Sequence, residues 1–140
     1  NYRLRPQLIE AMKWGLKVKN YEDVLIYLSS YLNNHDPKIS LVHGDLWSGN
    51  CGNIKNGLGT LYDPASYWGD REVDISMTKL FGRFNKEFYE GYEEIWPLEN
   101  SSTDRIEIYN LYHLLNHANI FGGSYKENSL KILKDLRSRL

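Results

Sequence analysis

The chain has 140 residues and a formal net charge of −1. That length holds one domain with a core, and the balanced charge gives no sign of a nucleic-acid surface or a polybasic membrane patch. A single cysteine, Cys51, excludes an intramolecular disulfide framework and suits a reducing, cytoplasmic compartment. No run of about 18 apolar residues suggests a membrane span, and no signal peptide is visible.

Pro6 fits a helix start, and Leu8, Ile9, Met12, Trp14 and Leu16 continue an apolar pattern to about Lys19. Tyr21, Val24, Leu25, Tyr27, Leu28, Tyr31 and Leu32 repeat at helical spacing, with Asn20 expected as N-cap and Asp23 three residues on. The cluster Asn33-Asn34-His35-Asp36-Pro37 ends that helix. Ile39 to His43 then reads as a buried strand. Cys51–Lys55 and Leu58–Asp63 flank Asn56-Gly57, a strong hairpin signal. Helices are expected over Glu72–Phe81, Lys86–Ile95, Thr103–Ile120 and Tyr125–Arg139, separated in part by Pro97 and Gly122-Gly123. The expected fold class is α+β, mostly helical, with a short β hairpin.

The stretch HGDLWSGN, His43 to Asn50, places Asp45 on a glycine-bounded loop past a strand and Asn50 five residues later. The same spacing occurs in the kinase pattern H-R-D-x-x-x-x-N, where Asp accepts the substrate hydroxyl proton and Asn holds a metal ion. Asp63, in YDPAS, follows the hairpin as the metal-binding Asp of D-F-G does. An Asn oxygen and an Asp oxygen suit Mg²⁺, a hard cation that prefers few carboxylates plus phosphate and water.

The stretches LVHGDLWSGN, YDPASYWGDREVDISM, FYEGYEEIWPL and YNLYHLLNHANIFGGSY resemble the fructosamine (ketosamine) kinase family, a branch of the aminoglycoside-phosphotransferase-like kinases. The resemblance runs from about Arg3 onward. HGDxxxxN indicates only the wider superfamily; Trp47-Ser48-Gly49, GDREVD and LLNH make the narrower match. The resemblance implies a protein-kinase-like C-terminal lobe, with Asp45 as catalytic base and Asn50 and Asp63 as Mg²⁺ ligands. It further implies Trp47 and His117 at the sugar-amine substrate, Asp74 bracing the catalytic loop through its backbone amides, and His43 in a structural role.

The implied reaction is transfer of the ATP γ-phosphoryl group to the C3 hydroxyl of a ketosamine, on a small amine or a protein lysine. The product then breaks down, which amounts to protein deglycation. Bacterial members resemble ribulosamine-type kinases more than strict fructosamine kinases. No glycine-rich phosphate loop and no V-A-I-K-like strand is present. Residues 1–140 therefore read as the C-terminal catalytic lobe without its N-terminal ATP-binding lobe, and the start at Asn1 reads as a fragment, a processed chain or a trimmed one. A lobe-facing apolar surface would favour a homo-oligomer. Two alternatives are a small-molecule kinase acting on an aminoglycoside, choline or homoserine, and an inactive, kinase-like binding module.

Other residues carry blander readings. His113 and His117 are four apart on a helix, but the glutamate of HExxH is missing, so a zinc site is not favoured over a hydrogen-bonded His113. Helix-start electrostatics and local ion pairs account for Glu72. Tyr89, Tyr92 and Trp96 read as core, Lys126 to Arg139 as a solvated helix face, and Cys51 as a buried thiol.

Overall fold

The computed structural model describes residues 2–18 and 20–139. The chain forms two compact units, one of Asn1–Asp36 with Glu107–Leu140 and the other of Pro37–Ile106.

The first unit contains helices α1 (Leu4–Lys13) and α2 (Tyr21–Asn33). Leu4, Leu8 and Ala11 share one buried face of α1, spaced four and three residues apart. Pro6 sits in the first turn, where its missing N–H has no intrahelical partner to lose. The helix stops six residues before the expected limit near Lys19, a residue outside those described. Gly15 is the cause. It adopts φ 101°, its N–H donates to Met12 O (3.2 Å), and Leu16 N–H donates to Ala11 O (3.1 Å). This glycine-terminated motif satisfies the last carbonyls and turns the chain. Asn20 does precede α2, yet it lies in the left-handed region at φ 55° and its side chain makes no capping bond. Its carbonyl instead accepts Asp23 N–H at 3.0 Å.

Two later helices complete this unit: α6 (Ser124–Arg137) and the part of α5 (Ser102–Phe121) beyond residue 106. Leu8, Leu25, Leu28, Leu111, Leu115, Leu133 and Leu136 meet in its apolar core. A polar seam ties α1 to α5. Trp14 Nε1 donates to Asn119 Oδ1 at 2.7 Å, and Asn119 Nδ2 donates to Gln7 O at 3.0 Å. Gly122 ends α5 at φ 67°.

The second unit has two antiparallel pairs. Strand β1 (Ile39–Val42) pairs with β4 (Tyr67–Asp70), in register Leu41↔Trp68, and β2 (Cys51–Asn53) pairs with β3 (Gly59–Leu61). β1 is not a buried strand: Ile39 and Leu41 are both 63% exposed, and only Val42 is buried. A two-stranded pair covers one face at most, so alternate residues point outward. β4 was not expected, because Gly69 and Asp70 are poor strand formers. The hairpin turns through Lys55-Asn56-Gly57, with Gly57 at φ 83° and its N–H on Ile54 O (2.8 Å).

Helix α3 (Glu72–Leu80) is the centre of this unit, with Glu72, Val73, Ile75, Ser76, Met77 and Thr78 all buried. Local charge effects at a helix start do not account for Glu72, which is 3% exposed and forms a two-pronged pair with Arg105, Nε to Oε2 at 2.7 Å and Nη2 to Oε1 at 2.6 Å. Ser101 Oγ (2.7 Å) and Glu99 Oε2 (2.9 Å) take further guanidinium donors. Glu72 raises the Arg105 pKa above its ordinary value, chiefly by hydrogen bonding.

Helix α4 (Lys86–Ile95) starts at Asn85, whose Oδ1 accepts Phe88 N–H (3.1 Å). It buries no residue, so the aromatic stripe is not core. Cations cover it instead: Arg83 lies 5.3 Å from the Tyr89 ring centre, and Arg71 lies 5.3 Å and 4.0 Å from Tyr92 and Trp96. Among the described residues, no helix is long and apolar enough to cross a membrane.

Arg105→Leu should destabilise the protein by about 3–5 kcal/mol in chemical denaturation, because it strands the Glu72 carboxylate. Adding Glu72→Met should recover most of that loss. A double variant no more stable than the single one would mean the pair is not the unit's internal tie.

Candidate active site

The loop from His43 to Asn50 leaves β1 and reaches β2 through one 3₁₀ turn, Ser48–Asn50. Leu46 anchors its middle, at 7% exposure. The start of the loop hangs on one carboxylate. Asp74, in the first turn of α3, accepts His43 N–H on Oδ2 (2.7 Å) and Gly44 N–H on Oδ1 (2.8 Å). Both carboxylate oxygens are thus used on consecutive amides. The group is half-buried, and burial raises its pKa against the lowering effect of those amides.

Gly44 is required by the path. It has φ 81°, and a Cβ there would lie 2.3 Å from the backbone oxygen of Ala65. The close approach brings the YDPAS turn against the loop. Ala65 N–H donates to His43 O (2.8 Å), and Tyr62 N–H donates to Asn50 O (3.1 Å). Asp63 lies between these two tethers, exposed, at φ 52°. Asp tolerates the left-handed region better than most residues, and such strain concentrates where chemistry is done.

The His43 ring bridges the same two segments. Its Nδ1 lies 3.3 Å from Asp45 N and its Nε2 3.0 Å from Tyr62 O. An amide N–H can only donate, so Nδ1 accepts, and the ring proton on Nε2 is given to the Tyr62 carbonyl. Asn50 is buried, and its Nδ2 donates to both Asp45 O and Asp45 Oδ2, each at 2.9 Å. That amide fixes one carboxylate oxygen of Asp45. It also turns Asn50 Oδ1 away from Asp45, as an oxygen the loop does not use.

The donor chemistry fits a hard divalent cation. Asn50 Oδ1 and the exposed Asp63 carboxylate are oxygen ligands, few in number, as Mg²⁺ prefers when phosphate and water supply the rest. Asp45, Asn50, His43 and Asp74 are joined directly by the hydrogen bonds above, and Asp63 by its neighbours Tyr62 and Ala65.

Trp47 is 36% exposed and lies across its own loop, since a Cβ on Gly49 would come within 2.2 Å of its Cη2. It meets Phe81 edge-on, with ring centres 6.5 Å apart. His117 stands in the other unit, on α5. Its Nδ1 lies 2.8 Å from His113 O, and its ring packs at 5.7 Å from Phe121 and 5.2 Å from Tyr125. Cys51 is a half-buried free thiol rather than a fully buried one, with Sγ 3.5 Å from Ser48 O.

Sequence reasoning did not find the tethers from Tyr62 and Ala65, which are backbone bonds with no side-chain signature. It also missed the packing of Gly49 beneath Trp47 and the link from Ser48 to Phe81. The glycines at 44 and 49 were the available signal.

A family model described as fructosamine kinase matches residues 1–139. An assigned ketoamine kinase of Vibrio cholerae is 45% identical over 136 residues, covering 97% of this chain and 47% of that protein. Its counterpart from Vibrio vulnificus is 52% identical over 137 residues, with the same coverage of 97% and 47%. A solved structure assigned as a fructosamine-3-kinase from Haemophilus somnus superposes with a TM-score of 0.82 at 36% identity, covering 93% of this chain and 45% of that one. Another, from Thermobifida fusca, gives 0.73 at 27% identity and covers 95% and 47%. These neighbours have a kinase-like fold, and this chain shares it. The chain belongs to the fructosamine kinase family. It spans about half the length of the curated relatives it matches.

Asp74→Asn should cost about 1–3 kcal/mol, because an NH₂ donor replaces the acceptor facing one of the two amides. Gly44→Ala should cost about the same or more, from the left-handed φ and the Ala65 contact. Thermal unfolding measures both; an unchanged Tm in either variant would contradict the bracing geometry.

Proposed function

We propose that the protein carrying this chain is an ATP-dependent ketosamine kinase, and that residues 1–140 form its C-terminal catalytic lobe. The observation that carries the reading is the Asp45–Asn50 pair. One oxygen of Asp45 is held by the Asn50 amide, which leaves the other to accept a proton from a substrate hydroxyl.

In this reading the sugar C3 hydroxyl hydrogen-bonds to Asp45. Its oxygen forms the new bond to the γ-phosphorus, its proton passes to Asp45, and the bond from that phosphorus to the bridging oxygen breaks to release ADP. Asn50 and Asp63 would hold Mg²⁺, which when bound offsets charge on the phosphate oxygens. Asp74 and His43 keep the loop in shape by the bonds described above, without touching substrate. Trp47 offers a partly exposed aromatic face to the sugar-amine. His117 is assigned to the same substrate on the family resemblance.

Family membership and relatives named ketoamine kinases support this substrate class. Small-molecule and protein-bound ketosamines both fit, and phosphorylation at C3 would start their breakdown, a deglycation step. The lone, half-buried cysteine suits a reducing cytoplasm.

Asp45→Asn should lower kcat for a ribulosamine or fructosamine substrate by about 10²–10⁴-fold, with Tm retained. ADP release measures this, and a variant that keeps most activity would sink the base assignment. Asp63→Ala should abolish Mg²⁺-dependent ATP binding by calorimetry; unchanged binding would place the metal elsewhere.

A further inference from the structure

Helix α3 holds the loop at both ends. Asp74, in its first turn, takes the amides of His43 and Gly44. At the other end, the carbonyl of Phe81, the residue after α3, accepts a hydrogen bond from Ser48 Oγ at 2.9 Å. The Phe81 ring meets Trp47 edge-on at 84°. Gly82 follows at φ 81°, and a Cβ there would come within 2.9 Å of Ser48 Oγ.

Trp47 is therefore bounded by Gly49 beneath and by Phe81 at its edge, while the adjacent residue is tied to the helix exit. Gly49 and Phe81 limit the roll of the indole about its side-chain torsions. The Ser48 bond fixes the backbone from which the indole projects, because it ties the residue next to Trp47 to the Phe81 carbonyl. The positive φ of Gly82 turns the chain away at once and keeps the hydroxyl's space open.

We propose that Ser48, with the Phe81–Gly82 exit of α3, is a positioning element that sets which face of Trp47 is presented to the sugar-amine. The inference rests on the reading of Trp47 as a substrate platform. It adds a specificity role for residues that touch no substrate themselves.

The test is a cycle of variants in the full protein carrying this chain. Ser48→Ala should raise KM for the ketosamine roughly fivefold, the scale of one neutral hydrogen bond, while KM for ATP stays unchanged. Ser48→Thr, which keeps the hydroxyl, should restore it. In a Trp47→Phe background, Ser48→Ala should add nothing further. An unaltered KM in Ser48→Ala, or an equal rise in both backgrounds, would overturn the proposal. The emission of Trp47, taken as the difference between the parent and Trp47→Phe, is a readout independent of turnover. It should shift to the red in Ser48→Ala, and an unchanged emission would overturn the positioning role. Absence of ketosamine turnover in the parent would sink the proposed function instead, and the emission measurement would still decide the positioning.

Discussion

The candidate site depends on one carboxylate that is fully engaged with the backbone. Asp74 binds the amides of His43 and Gly44 with its two oxygens, at 2.7 and 2.8 Å. A carboxylate that accepts two backbone donors fixes both the position and the direction of the chain it holds. Everything after it inherits that direction: the left-handed turn at Gly44, the approach of Ala65, and the angle at which Asp45 leaves the loop. The Asn50 amide then closes the loop on Asp45 from the other side.

The brace works only if α3 itself cannot move. Its six buried residues supply part of that rigidity. The Glu72–Arg105 pair supplies another part, linking the start of α3 to the start of α5. Burying two charges is costly, and a two-pronged geometry with extra partners offsets the cost. Ser101 and Glu99 are those extra partners for the guanidinium. Two residues on one helix turn thus serve different ends, Glu72 toward the scaffold and Asp74 toward the loop.

Helix α4 and the hairpin were legible from sequence, because amphipathic spacing and Asn-Gly are local signals. The loop residues Asp45 and Asn50 were legible from their spacing after a strand. Features set by long-range contacts were not. Nothing near Glu72 in sequence indicates Arg105, 33 residues on. The aromatic stripe of α4 has the spacing of a core face, and only the structure reveals that cations cover it. The early stop of α1 was legible in principle, since Gly15 is where a left-handed cap would fall. Strand β4 was hidden because it owes its form to pairing with β1, not to its own residues.

The proposed phosphotransfer rests on membership of the fructosamine kinase family and on the Asp45–Asn50 pair, and the ketosamine is its most specific element. The decisive measurement offers the protein carrying this chain ATP, Mg²⁺ and, separately, a ketosamine, an aminoglycoside, choline and homoserine, and follows the transferred phosphate by ³¹P NMR. The account predicts a new phosphomonoester on the ketosamine alone, attached at C3. Phosphate on one of the other alcohols with none on the ketosamine, or no transfer to any of them, would contradict it.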